Sequence, residues 1–307
     1  MNISARSAAK ALALPAALAA CLAGAGCVDI VGSDFGHAKY VERDEKRFSV
    51  SGRPDVSFTT FDGSIEIRPW DKSEVQVVVE KRGRDKRDVD LIEVKAAQDG
   101  NRIEVTVTDP RSRGGFNLEF NNHRSAKLYV SLPASSNVNA RSGDGSIDIE
   151  KVNGRLTLRS GDGNIDGRML SGAVDAHTGD GAIKLADIKG DLKVDTGDGP
   201  ITLMGQLTSV HARSGDGTVK IEAEPGSAAE GDWDIVTGDG SVSLAVPDGF
   251  GAELDAHTGD GRINLEEITL SNVSGALGRQ TVKGRLGAGG RSVRVRTGDG
   301  SITLRRF

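Results

Sequence analysis

Only two cysteines occur in the 307 residues, Cys21 and Cys27, and both fall within the first thirty. The body of the chain therefore offers no internal disulfide and no thiolate metal site. Aromatic residues are scarce at 4%, which argues against a globule packed around large rings. Neither sign of charge dominates, with 39 basic against 44 acidic residues. No basic stripe with interleaved aromatics marks a nucleic-acid face, so nucleic acid is not expected as a partner. Past the first segment no long helical pattern runs through the sequence.

Glycine is what the chain has in excess, 41 residues, and with it comes a tetrapeptide. Ser142-Gly143-Asp144-Gly145 returns at Ser160, Thr178, Thr196 and Ser214, each 18 residues after the last, and again at Thr237, Thr258 and Thr297. Repeats of this kind decide architecture before any local reading does. Four and two residues before the Ser/Thr stand apolar residues, for example Val138 and Ala140, Leu156 and Leu158, Trp233 and Ile235. Five and seven residues after it stand Ile147 and Ile149, Ile183 and Leu185, Leu244 two beyond Val242, Leu304 two beyond Ile302. The positions between are mostly polar. Period-two alternation is the mark of a half-buried strand, and it turns the Ser/Thr inward. A second glycine, at 154, 172 and 190, marks another turn, so each unit is two short strands and two turns.

An earlier stretch, from Val56 through Thr60, Asp62 and Gly63 to Ile67, fits the template without the first glycine. Between it and Ser142 the expected strands are longer and irregular, over 74–81, 91–96, 102–108 and 127–132. The charged run over 81–88 is expected to cap an exposed turn. The gap from Thr258 to Thr297 fits two units, one of which has lost its motif in the glycine-rich stretch 275–290. A meander of Asp-Gly hairpins satisfies the same local pattern, but it would expose an apolar face or have to close into a barrel. Stacked rungs enclose their own core. The expected fold is therefore all-β, a β-solenoid of 18-residue rungs with two short strands each. Its irregular part covers 54–135 and its regular part 136–307.

Residues 1–27 read as a lipoprotein-type signal segment. Arg6 and Lys10 form a basic start, and residues 11–20 form an apolar run too short to span a bilayer. Leu18-Ala19-Ala20-Cys21 resembles the bacterial lipobox, after which the signal is cut and the cysteine lipidated. Gly24-Ala25-Gly26-Cys27 matches less closely but directly precedes the polar mature sequence, so Cys21 is the first candidate and Cys27 the alternative. An ordinary signal with incidental cysteines is the plainer alternative. A diacylated cysteine anchors stably where one chain is marginal, and it would hold the protein on a bacterial membrane facing the periplasm or exterior. Residues 28–53, with Glu42-Arg43-Asp44-Glu45-Lys46-Arg47, are expected as a polar tether.

The phrase Gly63-Ser64-Ile65-Glu66-Ile67-Arg68-Pro69-Trp70-Asp71-Lys72-Ser73-Glu74-Val75, the Leu132-Pro133 step, the serial corners and the closing Gly287-Ala288-Gly289-Gly290-Arg291-Ser292-Val293 and Thr297-Gly298-Asp299-Gly300-Ser301-Ile302 together resemble the DUF4097 family of adhesin-like bacterial envelope proteins. The resemblance runs over roughly 55–307. It implies a β-solenoid at the cell surface or in the periplasm and no particular reaction.

Stacking would bring Asp62, Asp144, Asp162, Asp180, Asp198, Asp216, Asp239, Asp260 and Asp299 into a file along one edge. Each is expected first as a turn residue, its carboxylate accepting backbone N–H groups as Asx-turns do. Weak Ca²⁺ binding is the second reading, because Ca²⁺ takes several oxygen ligands. The 18-residue turn of calcium-binding β-rolls, however, carries two nonapeptides, and here the Asp occurs once and the preceding Gly-Gly is missing. Asp175-Ala176-His177-Thr178 and Asp255-Ala256-His257-Thr258 look like nucleophile, base and acid. The alternation turns Asp and His outward and Thr inward, so no catalytic residue is expected. The expected function is a non-enzymatic, lipid-anchored envelope module that binds or scaffolds a protein or glycan. A carbohydrate-active enzyme on the same fold and a calcium-stabilised module are the alternatives.

Overall fold

A computed structural model describes residues 40–110, 124–273 and 280–306. The leader and both cysteines lie outside these residues. Residues 40–49 form strand β1 (Tyr40–Ser49), the first of 23 strands in one continuous sheet that turns back on itself. The alternation read from the sequence is realised as two facing walls joined at two corners.

The first rung is β2 (Asp55–Thr60) and β3 (Ile65–Trp70). The chain then leaves the stack through β4 (Glu74–Gly83), helix α1 (Lys86–Asp90), β5 (Glu93–Asp99), β6 (Arg102–Thr108) and β7 (Ser125–Pro133). β6 pairs parallel to β2 and β7 parallel to β3, so together they add a rung below the first. β5 closes one wall antiparallel to β6; β4 lies antiparallel to β7 on the other, and β1 closes that wall antiparallel to β4. Of the tether expected over 28–53, residues 28–39 lie outside the described residues, and 40–49 are a strand. Residues 40–49 carry charge on both sides, which hides the strand from a hydrophobic reading, yet they form a complete ladder with β4. The charged run also differs from expectation. Asp85 caps α1 by accepting the Asp88 N–H at 3.0 Å, and Asp88 is buried beside Arg84 and Arg124. Arg124 also holds buried Asp109 at 2.6 Å, pinning the residue before β7 to the residue after β6.

Regular rungs follow: β8 (Asn137–Ser142) with β9 (Ile147–Glu150), then β10 (Asn153–Arg159) with β11 (Ile165–Arg168). β12 (Ser171–Thr178) follows, and β13 (Ile183–Thr196) and β14 (Ile201–Ser214) run through the second corner, serving both walls. β15 (Val219–Ala223), β16 (Trp233–Thr237) and β17 (Val242–Val246) continue the stack. Pairing is parallel and corner is set on corner, as Thr157 opposite Asp175 and Thr178 opposite Thr196 show. At about 4.8 Å per rung the nine tetrapeptide corners make a rod on the order of 40 Å long. The inward positions are filled: Leu156, Leu158, Ile165, Leu185, Leu203, Ile221 and Trp233 are all fully buried. Val152, Leu170 and Ile188 fill the second corner. There Lys151, Met169 and Asp187, 18 residues apart, all take a left-handed backbone with φ of 53°, 53° and 57°.

The last rungs depart from chain order. β18 (Ala252–Thr258) and β19 (Ile263–Glu266) are followed by β20 (Leu270–Ser271) and β21 (Thr281–Leu286), and then by β22 (Ser292–Thr297) and β23 (Ile302–Arg306). β22 pairs with both β16 and β18, and β23 with both β17 and β19. The C-terminal rung therefore lies between two rungs made before it. The expected lost repeat between Thr258 and Thr297 does not form. β21 instead pairs antiparallel to β18, carries β20 on its other edge, and closes that wall.

Candidate functional site

Three of the four positions of each tetrapeptide are taken up by stacking. The Ser/Thr side chain is buried in every corner, from 8% exposed at Ser142 to 0% at Thr178 and Thr258. Its hydroxyl donates to the carbonyl of the second glycine in the rung below: Ser160 to Gly145 at 2.9 Å, Thr178 to Gly163 at 2.8 Å, Ser214 to Gly199 at 2.9 Å. The same oxygen accepts the N–H of its own second glycine, Gly163 at 3.1 Å and Gly217 at 2.9 Å. Thr60 makes the equivalent bond to the Ala126 carbonyl at 3.0 Å. A hydroxyl that both donates and accepts is satisfied although buried.

The glycines answer to space rather than to backbone angle. A Cβ on Gly199 would lie 2.0 Å from the Gly181 carbonyl oxygen, and one on Gly143 1.9 Å from that of Phe61. The first glycines also run a ladder of their own, Gly197 N–H to Gly179 O at 2.5 Å and Gly259 N–H to Gly298 O at 2.7 Å.

The Asp is the position left over. Asp144, Asp162, Asp180, Asp198, Asp216, Asp239, Asp260 and Asp299 are exposed, and Asp62 is half-buried. Among the described residues no backbone N–H bonds to these carboxylates. The Asx-turn expectation is corrected here: the side chain that accepts a backbone N–H within the corner is the buried hydroxyl, as Gly145 N–H to Ser142 Oγ at 3.0 Å shows. Burial, and then the nearby charge of Asp144, push the Asp62 carboxyl above its ordinary range. The file follows spatial order, with Asp299 between Asp239 and Asp260. Among the described residues no group of three or more His, Cys, Asp or Glu could hold a metal ion. One carboxylate per rung falls short of the six to eight oxygens Ca²⁺ takes.

The two Asp-Ala-His-Thr phrases do not assemble a catalytic set. Thr178 and Thr258 are committed to glycine carbonyls at 2.8 Å, inside the wall that separates them from the outward histidines. Asp175 is held by an arginine of the rung below. Arg159 Nη1 donates to the Leu158 and Asp175 carbonyls at 3.1 and 3.0 Å, and Nη2 to Asp175 Oδ2 at 2.7 Å. Arg296 repeats this on Val295, Asp255 O and Asp255 Oδ2 at 3.0, 2.7 and 2.8 Å. Arg68 does the same on the other wall with Ile67 and Asp148. These arginine brackets bind rung to rung across the outer face, a role the sequence reading did not assign. Burial raises Asp255, but Arg296 and Lys283 outweigh it and hold its carboxyl below the usual range. At the end of the rod Glu80, nearly buried, is clasped by Arg43 and Arg82 at 2.8 and 2.5 Å. A cleft of about 600 Å³ lies against β5 and β6, lined by Glu93, Lys95, Glu104 and Thr106 among others. It spans two strands and lacks the arginine and carboxylates from three rungs that a sugar-cleaving groove would gather.

Fold and corner together define a parallel β-solenoid built on stacked hydroxyl–glycine corners. The chain belongs to the Toastrack DUF4097 family, whose model matches residues 55–305. It is similar to the crystal structure of a candidate adhesin from Bacteroides fragilis, at 12% identity, 86% of this chain, 97% of that one and a TM-score of 0.42. A candidate lipid-binding protein from Parabacteroides distasonis is 16% identical over 85% of this chain and 96% of its own, with a TM-score of 0.42. A candidate cell adhesion protein from Clostridium sporogenes is 12% identical over 87% of this chain and all of its own, with a TM-score of 0.30. No curated protein matches significantly.

Proposed function

We propose that this protein is a non-enzymatic binding or scaffolding module of the bacterial envelope, held to a membrane by a lipid on Cys21 or Cys27. The observation that carries this reading is the division of labour in the rung. In the regular rungs the inward positions are apolar or, at the corner hydroxyls, hydrogen-bonded to the next rung, while Arg and Asp lie outside, with Arg159 on Asp175 and Arg296 on Asp255 paired across rungs. Such a face suits an extended partner, a protein or a glycan, read over several rungs, because each rung contributes similar groups at a fixed step. The adhesin names carried by similar structures belong to this reading and not to the fold. Among the described residues no helix is long and apolar enough to cross a membrane.

Retention of envelope material by the tagged mature chain, with a glycan array beside it, tests the binding. Specific retention that falls when Arg159 and Arg213 are replaced by Ala supports it, and retention indifferent to every outer-face substitution sinks it. Mass spectrometry of the exported protein tests the anchor. A lipid mass on Cys21, or on Cys27, is expected, and a soluble, unmodified chain would remove it.

A further inference from the structure

The position of the C-terminal rung leaves a question that the binding face does not answer. β22 and β23 form one contiguous segment at the end of the chain, yet each has an older strand on both sides. Rungs 233–246 and 252–266 thus stand one rung apart, with the last residues filling the space between them. The short connection 247–251 spans that double step. The slot holds the rung through the corner bonds of the template, with Arg296 on Asp255 and Arg305 on Glu222 beside them. Thr297 Oγ1 donates to Gly240 O at 2.7 Å below, and Thr258 Oγ1 donates down to Gly300 O at 2.8 Å from above. Ile302 sits level with Val242 and Ile263.

The segment reaches the slot through one hinge, residues 287–291. The hinge carries the chain from the β21 side of β18 to the β22 side. It holds three glycines with φ of 50°, 81° and 155°, and Gly289 N–H bonds Leu286 O at 2.9 Å. Any identical rung meets the same atoms in the slot, so only the hinge distinguishes a rung from its own chain from one belonging to another. Exchange of an identical element through a hinge is a low-cost route to dimers.

We propose that the slot between rungs 233–246 and 252–266 is an assembly site that accepts the C-terminal rung of a second copy, giving a rung-swapped dimer. The test uses the full chain with Cys21→Ser and Cys27→Ser, so that no native thiol remains. Ser243 and Thr303 are register partners on β17 and β23, both outward-facing. Neighbouring strands at about 4.8 Å bring their Cα atoms within disulfide range. Chains carrying Ser243→Cys alone and Thr303→Cys alone are mixed, unfolded, refolded together at high concentration and oxidised. A covalent dimer in the mixture, absent from either chain by itself, is the expected result. Its yield should rise with Gly289→Pro, since proline cannot take φ of 81° and removes the N–H that closes the hinge. A chain carrying both cysteines serves as the control. If it forms its internal bond while the mixture gives no covalent dimer, the proposal is overturned. Should that pair disturb folding, Asp234→Cys and Arg294→Cys on β16 and β22 repeat the test at another register pair.

Discussion

Replacing Gly199 by Ala should be among the most damaging single changes in the molecule, although it adds one methyl to a corner at the surface. The new Cβ would lie 2.0 Å from the Gly181 carbonyl oxygen and 2.6 Å from its carbon. Neither atom can swing aside, because both belong to the backbone of the rung below. Ordinary contact at 3.4 Å demands a displacement of about 1.4 Å, far more than packed atoms absorb without losing their contacts. Two hydrogen bonds meet at this residue, Ser214 Oγ to Gly199 O at 2.9 Å and Gly199 N–H to Thr196 Oγ1 at 3.3 Å. Losing both costs about 2 kcal/mol, and overpacking a site that cannot relax adds about 1–3 kcal/mol. The sum, about 3–5 kcal/mol, should lower the melting temperature by roughly 10 °C in a domain of this size. Asp198→Asn, one residue away, should stay within about 0.5 kcal/mol, because its carboxylate is exposed and accepts no hydrogen bond among the described residues. Thermal melts by circular dichroism on both variants check the pair. If Gly199→Ala costs under 1 kcal/mol, or Asp198→Asn costs as much as it does, stacking is not what the corner glycines serve.

Other substitutions probe other contacts. Thr196→Val keeps shape but removes donation to Gly181 O at 2.9 Å and acceptance from Gly199 N–H, and urea unfolding should show a loss of about 1–3 kcal/mol. A double-mutant cycle on Arg296 and Asp255 should give a coupling at the top of the exposed-pair range of about 0.2–1 kcal/mol, since the two carbonyl bonds already hold the arginine in place and leave it little side-chain freedom to lose. Zero coupling would show that the bracket adds nothing to the joining of these rungs. Glu80 would be raised by burial, but Arg43 and Arg82 outweigh this and lower it. Its contribution is then present above its unfolded value and lost as pH falls through its folded value. Glu80→Gln should cost about 2 kcal/mol at neutral pH, with the gap to the parent closing in acid. Asp62 runs the other way, raised by burial and by Asp144, so stability falls as pH rises from its unfolded towards its folded value. Asp62→Asn should be more stable than the parent at neutral pH and lose that advantage in acid.

What the sequence discloses of this fold is what each rung repeats. Leu156 and Leu158, or Ile183 and Leu185, announce a buried wall because alternation is local. Ser160 declares its inward direction by the same parity. The reason for Gly161 cannot be read this way, since the atom it must avoid, Gly143 O, is in another rung. A local reading makes it a turn former. β1 is hidden because its stabilisation lies in its ladder with β4 and in pairs such as Arg43 with Glu80, neither of which leaves an apolar stripe. The arginine bracket is half legible. Arg159 and Asp175 are 16 residues apart in consecutive rungs, whereas Arg296 finds Asp255 41 residues back. The order of the last rungs is invisible because the corners at Thr258 and Thr297 are interchangeable as templates. Only the strands at their edges decide which lies inside.

If hydroxyl and glycines build the corner, the repeated Asp must persist for something other than the turn. Neighbouring carboxylates at about 5 Å repel by about 0.8 kcal/mol in water, so the file costs stability wherever salt does not screen it. Changing Asp144, Asp162, Asp180, Asp198 and Asp216 together to Asn should therefore raise the melting temperature at low ionic strength, with the gain fading as salt is added. The same change takes the formal net charge of the full chain from −5 to zero, and proteins near zero associate and precipitate. The variant should thus be more stable and less soluble, a combination that scattering and melting measure on one sample. This assigns the carboxylates to keeping a long, flat-walled rod apart from its copies. A variant that melts lower than the parent, or a parent that melts higher with Ca²⁺ than with chelator, would instead show the file gaining energy from a bound cation.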